Sequence, residues 1–179
     1  MAMPKVRLKP FTMVRRSIWD SRRFGALPDD PTRFLYLYLL TCQHQTGTGC
    51  FMAKEAYVLG DLAKPGTDWT AQTLAARKQA LVDAGLIFSD EQTGEILIAG
   101  WWNNNGPSNG DWYKGAQRQC EVIESESLRN AALDALEAFR EAAAVARGMP
   151  VGPVARRPAH AVSPQDRIQA LTTRIGDGP

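Results

Sequence analysis

At 179 residues, with 44% hydrophobic and 22% charged side chains, the chain is long enough to bury one core and keep length for appendages. A formal net charge of +2 identifies no partner, and no apolar run approaches bilayer-spanning length or the form of a secretory signal, so the expected compartment is the cytoplasm, with no membrane partner. Three cysteines, Cys42, Cys50 and Cys120, are an odd count with no CxxC pair, which fits reduced thiols; Cys42, His44 and Cys50 lack a fourth ligand at a usual zinc spacing, so no metal is expected.

The charge is unevenly spread. Residues 1–16 carry Lys5, Arg7, Lys9, Arg15 and Arg16 with no acid, whereas residues 17–110 hold seven Lys/Arg against ten Asp/Glu, a net of −3. The first stretch is therefore a basic arm, either a solvated tail or a contact for nucleic acid. Val14 to Trp19 suggests a short strand, followed by Arg22 and Arg23 and by the turn and helix start Leu27-Pro28-Asp29-Asp30-Pro31. Thr32 to Cys42 is apolar on nearly every side and predicts a central helix covered on several faces.

After a Thr46–Gly49 loop and a short strand Cys50–Met52, residues 54–84 predict two helices joined by a tight turn. The first, Lys54 to Ala63, is closed by Lys64-Pro65-Gly66. The second opens at the cap-type Thr70 and runs in good helix formers to Gly85. Leu86–Phe88 and Glu95–Ala99 then form a hairpin, with Gly94 suited to positive φ in its turn. Helix, short strand, helix, helix, hairpin is the order of a winged helix-turn-helix, in which the second helix of the pair enters the DNA major groove.

Trp101 to Gly110 breaks all periodicity, so the core domain is expected to end there, spanning 17–110. A long helix is expected from about Ala116 to Arg147, within 111–147. Its stripe Leu128, Ala132, Ala135, Leu136, Phe139 and Ala143 either packs back on the core or meets a second copy. Residues 148–162 are a Pro/Gly-rich linker; the tail to 179 is mostly disordered, unless Ile168, Leu171 and Ile175 form one face of a docking helix. The expected fold class is thus mostly α with a small antiparallel β-hairpin, a winged helix-turn-helix followed by a long C-terminal helix.

On a helical wheel of 70–84, Leu74, Leu81 and Val82 share one face, while Gln72, Thr73, Ala76 and Gln79 lie opposite. Gln suits the N6 and N7 of adenine, and Ala and Thr suit a thymine methyl, so these four are the expected base readers. Arg77 flanks them for a phosphate, and the stem of Lys78 falls in the apolar stripe. Asp90, Glu91 and Glu95 would repel phosphate at the wing, leaving Lys5, Arg7, Lys9, Arg15, Arg16, Arg22 and Arg23 to supply affinity. The alternative is an ordinary polar helix surface. His44 and His160 are isolated and no nucleophile elbow, phosphate loop or metal-spaced carboxylate set occurs, so neither an enzyme nor a cofactor is expected.

SIWDSRRFGALPDDPTRFLYLYLLT (17–41), GCFMA (49–53), LVDAGLI (81–87) and EILIAGWWNNN (95–105) together resemble the amino-terminal winged-helix domain of phage replisome organisers and related DnaD-type replication initiation proteins. The resemblance covers about residues 14–110. It implies binding of double-stranded origin DNA, a role in bringing helicase to it, and a place in the host cytoplasm. The chain departs from that pattern in its longer KPGTDW turn, its acidic wing and the lack of a recognisable helicase-contacting domain, which leaves the C-terminal helix as the oligomerisation element. Two other functions suit the same fold: a transcriptional regulator and a protein–protein interaction module.

Overall fold

A computed structural model describes residues 12–147. Its first ordered turn is a 3-10 helix, Arg16–Asp20, where a strand was expected. Ser21 follows in extended conformation and caps the short α1 (Arg22–Gly25), its hydroxyl accepting from the Phe24 N–H and Phe24 turning into the core. Asp29 then starts α2 (Asp30–Thr41), accepting the Thr32 N–H at 2.7 Å, with Pro31 in the first turn. That helix buries Thr32, Leu35, Tyr36, Leu39 and Leu40 but leaves Phe34 53% exposed, so it is covered on one broad face and open on the other.

β1 (Cys50–Met52) leads into α3 (Glu55–Leu62), the turn, and α4 (Ala71–Asp83), which packs against α2. β2 (Ile87–Asp90) and β3 (Glu95–Ile98) make the hairpin, closed by Gly94 at φ +70. The sheet is antiparallel in the order β1-β3-β2, with Cys50 opposite Leu97 and Ile87 opposite Ile98. β1 enters through Gly49 at φ +74, and a Cβ there would meet the Trp101 ring. Trp101 is fixed in turn by its indole N–H, which donates to the Gly47 carbonyl at 2.9 Å. The fold is therefore mostly helical with a small antiparallel sheet, a winged helix-turn-helix followed by a long C-terminal helix.

The core does not end at residue 110. Trp101 and Trp102 are both buried, with Trp102 opening α5 (Trp102–Asn105) and its indole N–H reaching the Ala132 carbonyl at 3.2 Å. Two helices then stand where one was expected, α6 (Gly110–Glu121), capped by Asn109, and α7 (Glu126–Ala146). The chain breaks between them at residues 122–125, where Ile123 is buried and the Ser125 hydroxyl accepts from the Leu128 N–H at 3.3 Å. Cys120, Ile123, Leu128, Ala132 and Leu136 join the same core as α2 and the sheet. Of the expected stripe, Leu128, Ala132, Leu136 and Phe139 pack back on the domain, whereas Ala135 is exposed and Ala143 falls in the second compact unit. Two compact units divide the chain, Met1–Phe139 and Arg140–Pro179, and this core belongs to the first. The 148–179 linker and tail, with Ile168, Leu171 and Ile175, lie outside the described residues.

Candidate nucleic-acid interface

The α3–α4 connection is built from its own polar groups. The Thr67 hydroxyl accepts from the Lys64 N–H at 3.1 Å and donates to the Lys64 carbonyl at 2.8 Å, and Gly66 takes φ +83. At the start of α4 the Thr70 hydroxyl accepts from the Thr73 N–H at 3.1 Å, while the Thr73 hydroxyl accepts from the Thr70 N–H at 2.9 Å. This reciprocal cap satisfies two amides that a helix start leaves open. The Thr73 hydroxyl also contacts the Asp68 carbonyl at 2.6 Å. The Thr73 hydroxyl is therefore committed to the cap and the side chain is half-buried, which leaves no free hydroxyl for a base edge.

Arg77 is not a phosphate contact either. It is 6% exposed, paired through Nη2 with the Asp68 carboxylate, and its guanidinium lies 4.3 Å from the centroid of the Trp69 ring. The charge faces the turn, away from any ligand that approaches the exposed side of α4. Leu74 and Leu81 are fully buried, with Val82 and Lys78 partly covered, as the wheel places them.

What remains exposed on α4, besides Ala71 at its first position, is one narrow stripe, Gln72, Ala75, Ala76 and Gln79, ending at Asp83. Gln79 donates to the Asp83 carboxylate at 2.8 Å, which orients its amide and leaves the carbonyl side open. The stripe carries no positive charge of its own. Basic residues come from the N-terminal segment, where Arg15, Arg16, Arg22 and Arg23 are all exposed. Arg23 donates to the Gly85 carbonyl at 2.9 Å, directly after α4, and Arg15 donates to the Asn103 carbonyl at 2.9 Å. The Asn105 side chain grips the backbone of Met13 from both sides, accepting from its N–H at 2.9 Å and donating to its carbonyl at 3.4 Å. Arg23 thus touches the chain just after α4, while Met13 and Arg15 are tied to α5. Lys5, Arg7 and Lys9 lie outside the described residues.

The wing is less repulsive at its tip than its composition suggests. Asp90 accepts from the N–H groups of Gln92 and Thr93 at 2.8 and 3.3 Å, and its carboxyl is held below the ordinary Asp range chiefly by the Ser125 hydroxyl. Glu95 accepts from the N–H groups of Glu124 and Ser125 at 3.2 and 2.7 Å. Both acids thus serve the start of α7, and of the three wing acids Glu91 is the exposed one.

Elsewhere, burial pushes the Cys50 thiol up to about 12 and the Cys120 thiol up to about 11, which keeps both protonated at neutral pH. His44 stacks on Tyr57 with centroids 4.7 Å apart. Among the described residues no group of His, Cys, Asp or Glu is placed to hold a metal ion, and no helix is long and apolar enough to cross a membrane. No protein-family model, curated protein or solved structure matches the chain.

Proposed function

We propose that this is a DNA-binding protein of phage-type replication initiation, in which α4 reads duplex DNA and the arginines of the N-terminal segment hold phosphate. The observation that carries the reading is the exposed stripe of α4. Two alanines leave the backbone free to approach a groove floor closely, and Gln72 and Gln79 stand one on each side of them. Support for replication, as opposed to another use of duplex DNA, comes from the resemblance of residues 14–110 to replisome organisers. Gln72, Ala76 and Gln79 are the base readers in this proposal. Arg15, Arg16, Arg22 and Arg23 are the phosphate ligands, joined by Lys5, Arg7 and Lys9 of the arm. Helicase is a further proposed partner; a second copy has no access to Leu128, Ala132 and Leu136, which are in the core.

A second reading has one observation in its favour. With Arg77 turned inward and Asp83 at its end, the stripe on α4 is neutral to acidic, which suits a protein partner better than a polyanion.

The two part in a polarisation titration of the full chain against a pool of duplexes with a randomised core of about 20 base pairs. Duplex binding at low salt is expected, weakening with a log–log slope of about −0.9 per phosphate neutralised. Gln72→Ala with Gln79→Ala is expected to lower the preference for the selected site by about 5- to 150-fold at each base read, leaving nonspecific affinity unchanged. No binding to any duplex at low salt would overturn the duplex reading.

A further inference from the structure

Trp19 is 69% exposed, the most open of the described tryptophans. It is nevertheless held in place. Its ring meets that of Phe24, itself 2% exposed, at 5.5 Å and 81°, and Phe24 meets Tyr36 of α2 at 6.0 Å, so a run of three aromatic rings leads from the surface into the core. The 3-10 geometry of Arg16–Asp20 repeats every three residues, which sets Arg16 and Trp19 on the same side. Around this indole, residues 15–23 carry Arg15, Arg16, Arg22 and Arg23 against Asp20 as their one acid. Among the described residues none of the four arginines is in an ion pair.

An exposed, supported indole in a segment whose arginines are in no ion pair has the chemistry of a nucleobase platform. Every base offers a π-face to stack on such a ring, and the phosphates on either side are matched by the cations. A protein partner fits less well, because the cores of protein interfaces are depleted in charge and four arginines without an acidic partner would have to be desolvated or matched by acids. A duplex does not use the ring, since its bases are already stacked on one another. We propose that Trp19 stacks an unpaired base, with Arg16 and Arg22 on the adjoining phosphates, so that the protein takes single-stranded nucleic acid at a site separate from the exposed stripe of α4. The inference does not rest on duplex reading. Arg23, through its bond to the Gly85 carbonyl, sets the platform near the end of α4.

The test is a polarisation titration of the full chain with fluorescein-labelled oligothymidylate and oligouridylate of about 20 nucleotides, and with an abasic strand of the same length. Trp19→Ala is expected to weaken binding of both base-bearing strands by about 5- to 150-fold, the tighter strand naming the natural ligand, while binding of the abasic strand is unchanged. Trp19→Phe, which keeps an aromatic face, is expected to retain most of the affinity. Arg16→Ala and Arg22→Ala should each reduce the salt slope on the single strands by about 0.7. Far-UV circular dichroism checks that each variant is folded. Unchanged oligothymidylate and oligouridylate affinity in Trp19→Ala overturns the proposal, and so does an equal loss on the abasic strand, which would mean that the indole supports the fold and not a base. Failure of the duplex reading is recognised separately, by duplex titrations of the Gln72/Gln79 variant, which leave these strands untouched.

Discussion

Arg77 and Asp68 form an ion pair whose two halves stand in different solvents. The arginine side chain is 7% exposed and the carboxylate 66% exposed, so removing one partner is not equivalent to removing the other. Without Asp68 the guanidinium stays buried over Trp69 with its charge uncompensated; without Arg77 the carboxylate returns to water. Asp68→Ala is therefore expected to destabilise the protein by about 2–4 kcal/mol, whereas Arg77→Met, which keeps a stem and a sulfur against the indole, should cost about 0–1.5 kcal/mol. Urea denaturation of the two variants checks the order, and a larger loss in Arg77→Met would refute the assignment. The sequence did hold a sign of this role. Arg77 lies three residues after Leu74 and four before Leu81, the spacing of the buried face, yet a basic residue on a supposed reading helix invites a phosphate. Neither Asp68 nor Trp69, nine and eight residues earlier, announces a partner by spacing, because the long side chain turns back along the helix. Thr73 is the reverse case: its place three residues after Thr70 is the capping-box position, legible from local chemistry alone.

The wing and α7 form a joint between elements distant in the chain. Two hydrogen bonds from the Glu124 and Ser125 amides to the Glu95 carboxylate fix where α7 begins, and negative charge is favourable at a helix N-terminus. Glu95→Ala should therefore destabilise the protein by about 1–3 kcal/mol and raise amide exchange first at the start of α7, as read by hydrogen–deuterium exchange. Asp90 adds a pH dependence to the same joint. Its carboxyl is lowered from the ordinary 3.8 in the folded chain, so its contribution is present above that value and lost as pH falls through the lower folded one. Asp90→Asn should accordingly flatten the loss of stability on acidification below about pH 4, as read by urea denaturation at a series of pH values. This joint also explains which elements could be read in advance. α3, α4 and the hairpin fall within a residue or two of expectation because Pro65-Gly66, Thr70, Gly85 and Gly94 mark their ends locally. The break between α6 and α7 was hidden in a run of good helix formers, its cause lying in Glu95 some thirty residues away, with Ser125 as the one local sign. The residues leading into the 3-10 turn, Met13 and Arg15, are tied to Asn105 and Asn103, partners that no short window of sequence contains.

At the scale of the molecule, the question is how much chain the winged helix needs. Trp101 and Trp102 suggested a boundary because Asn and Gly surround them, but the indoles face inward and draw α6 and α7 into the core. The Trp102 N–H ends on the Ala132 carbonyl, and Ile123, Leu128 and Leu136 are buried in the core that includes Phe51 and Ile96. Burying these three aliphatic side chains contributes about 5–9 kcal/mol at roughly 1.5–3 kcal/mol each, comparable with the whole net stability of about 5–15 kcal/mol typical of a domain. A chain cut after Gly110 loses all three and exposes Trp102 as well. It is expected to show no cooperative unfolding transition and to bind a hydrophobic dye, whereas a chain ending at Phe139, where the first compact unit closes, should unfold cooperatively in urea with the midpoint of the full protein. Equal transitions in the two truncations would mean that α6 and α7 rest on the core without stabilising it. The same pair bears on the proposed DNA binding, because α4 keeps its pose only while α2 and the sheet behind it are packed: on that proposal the chain ending at Phe139 should retain duplex affinity and the one ending at Gly110 should lose it.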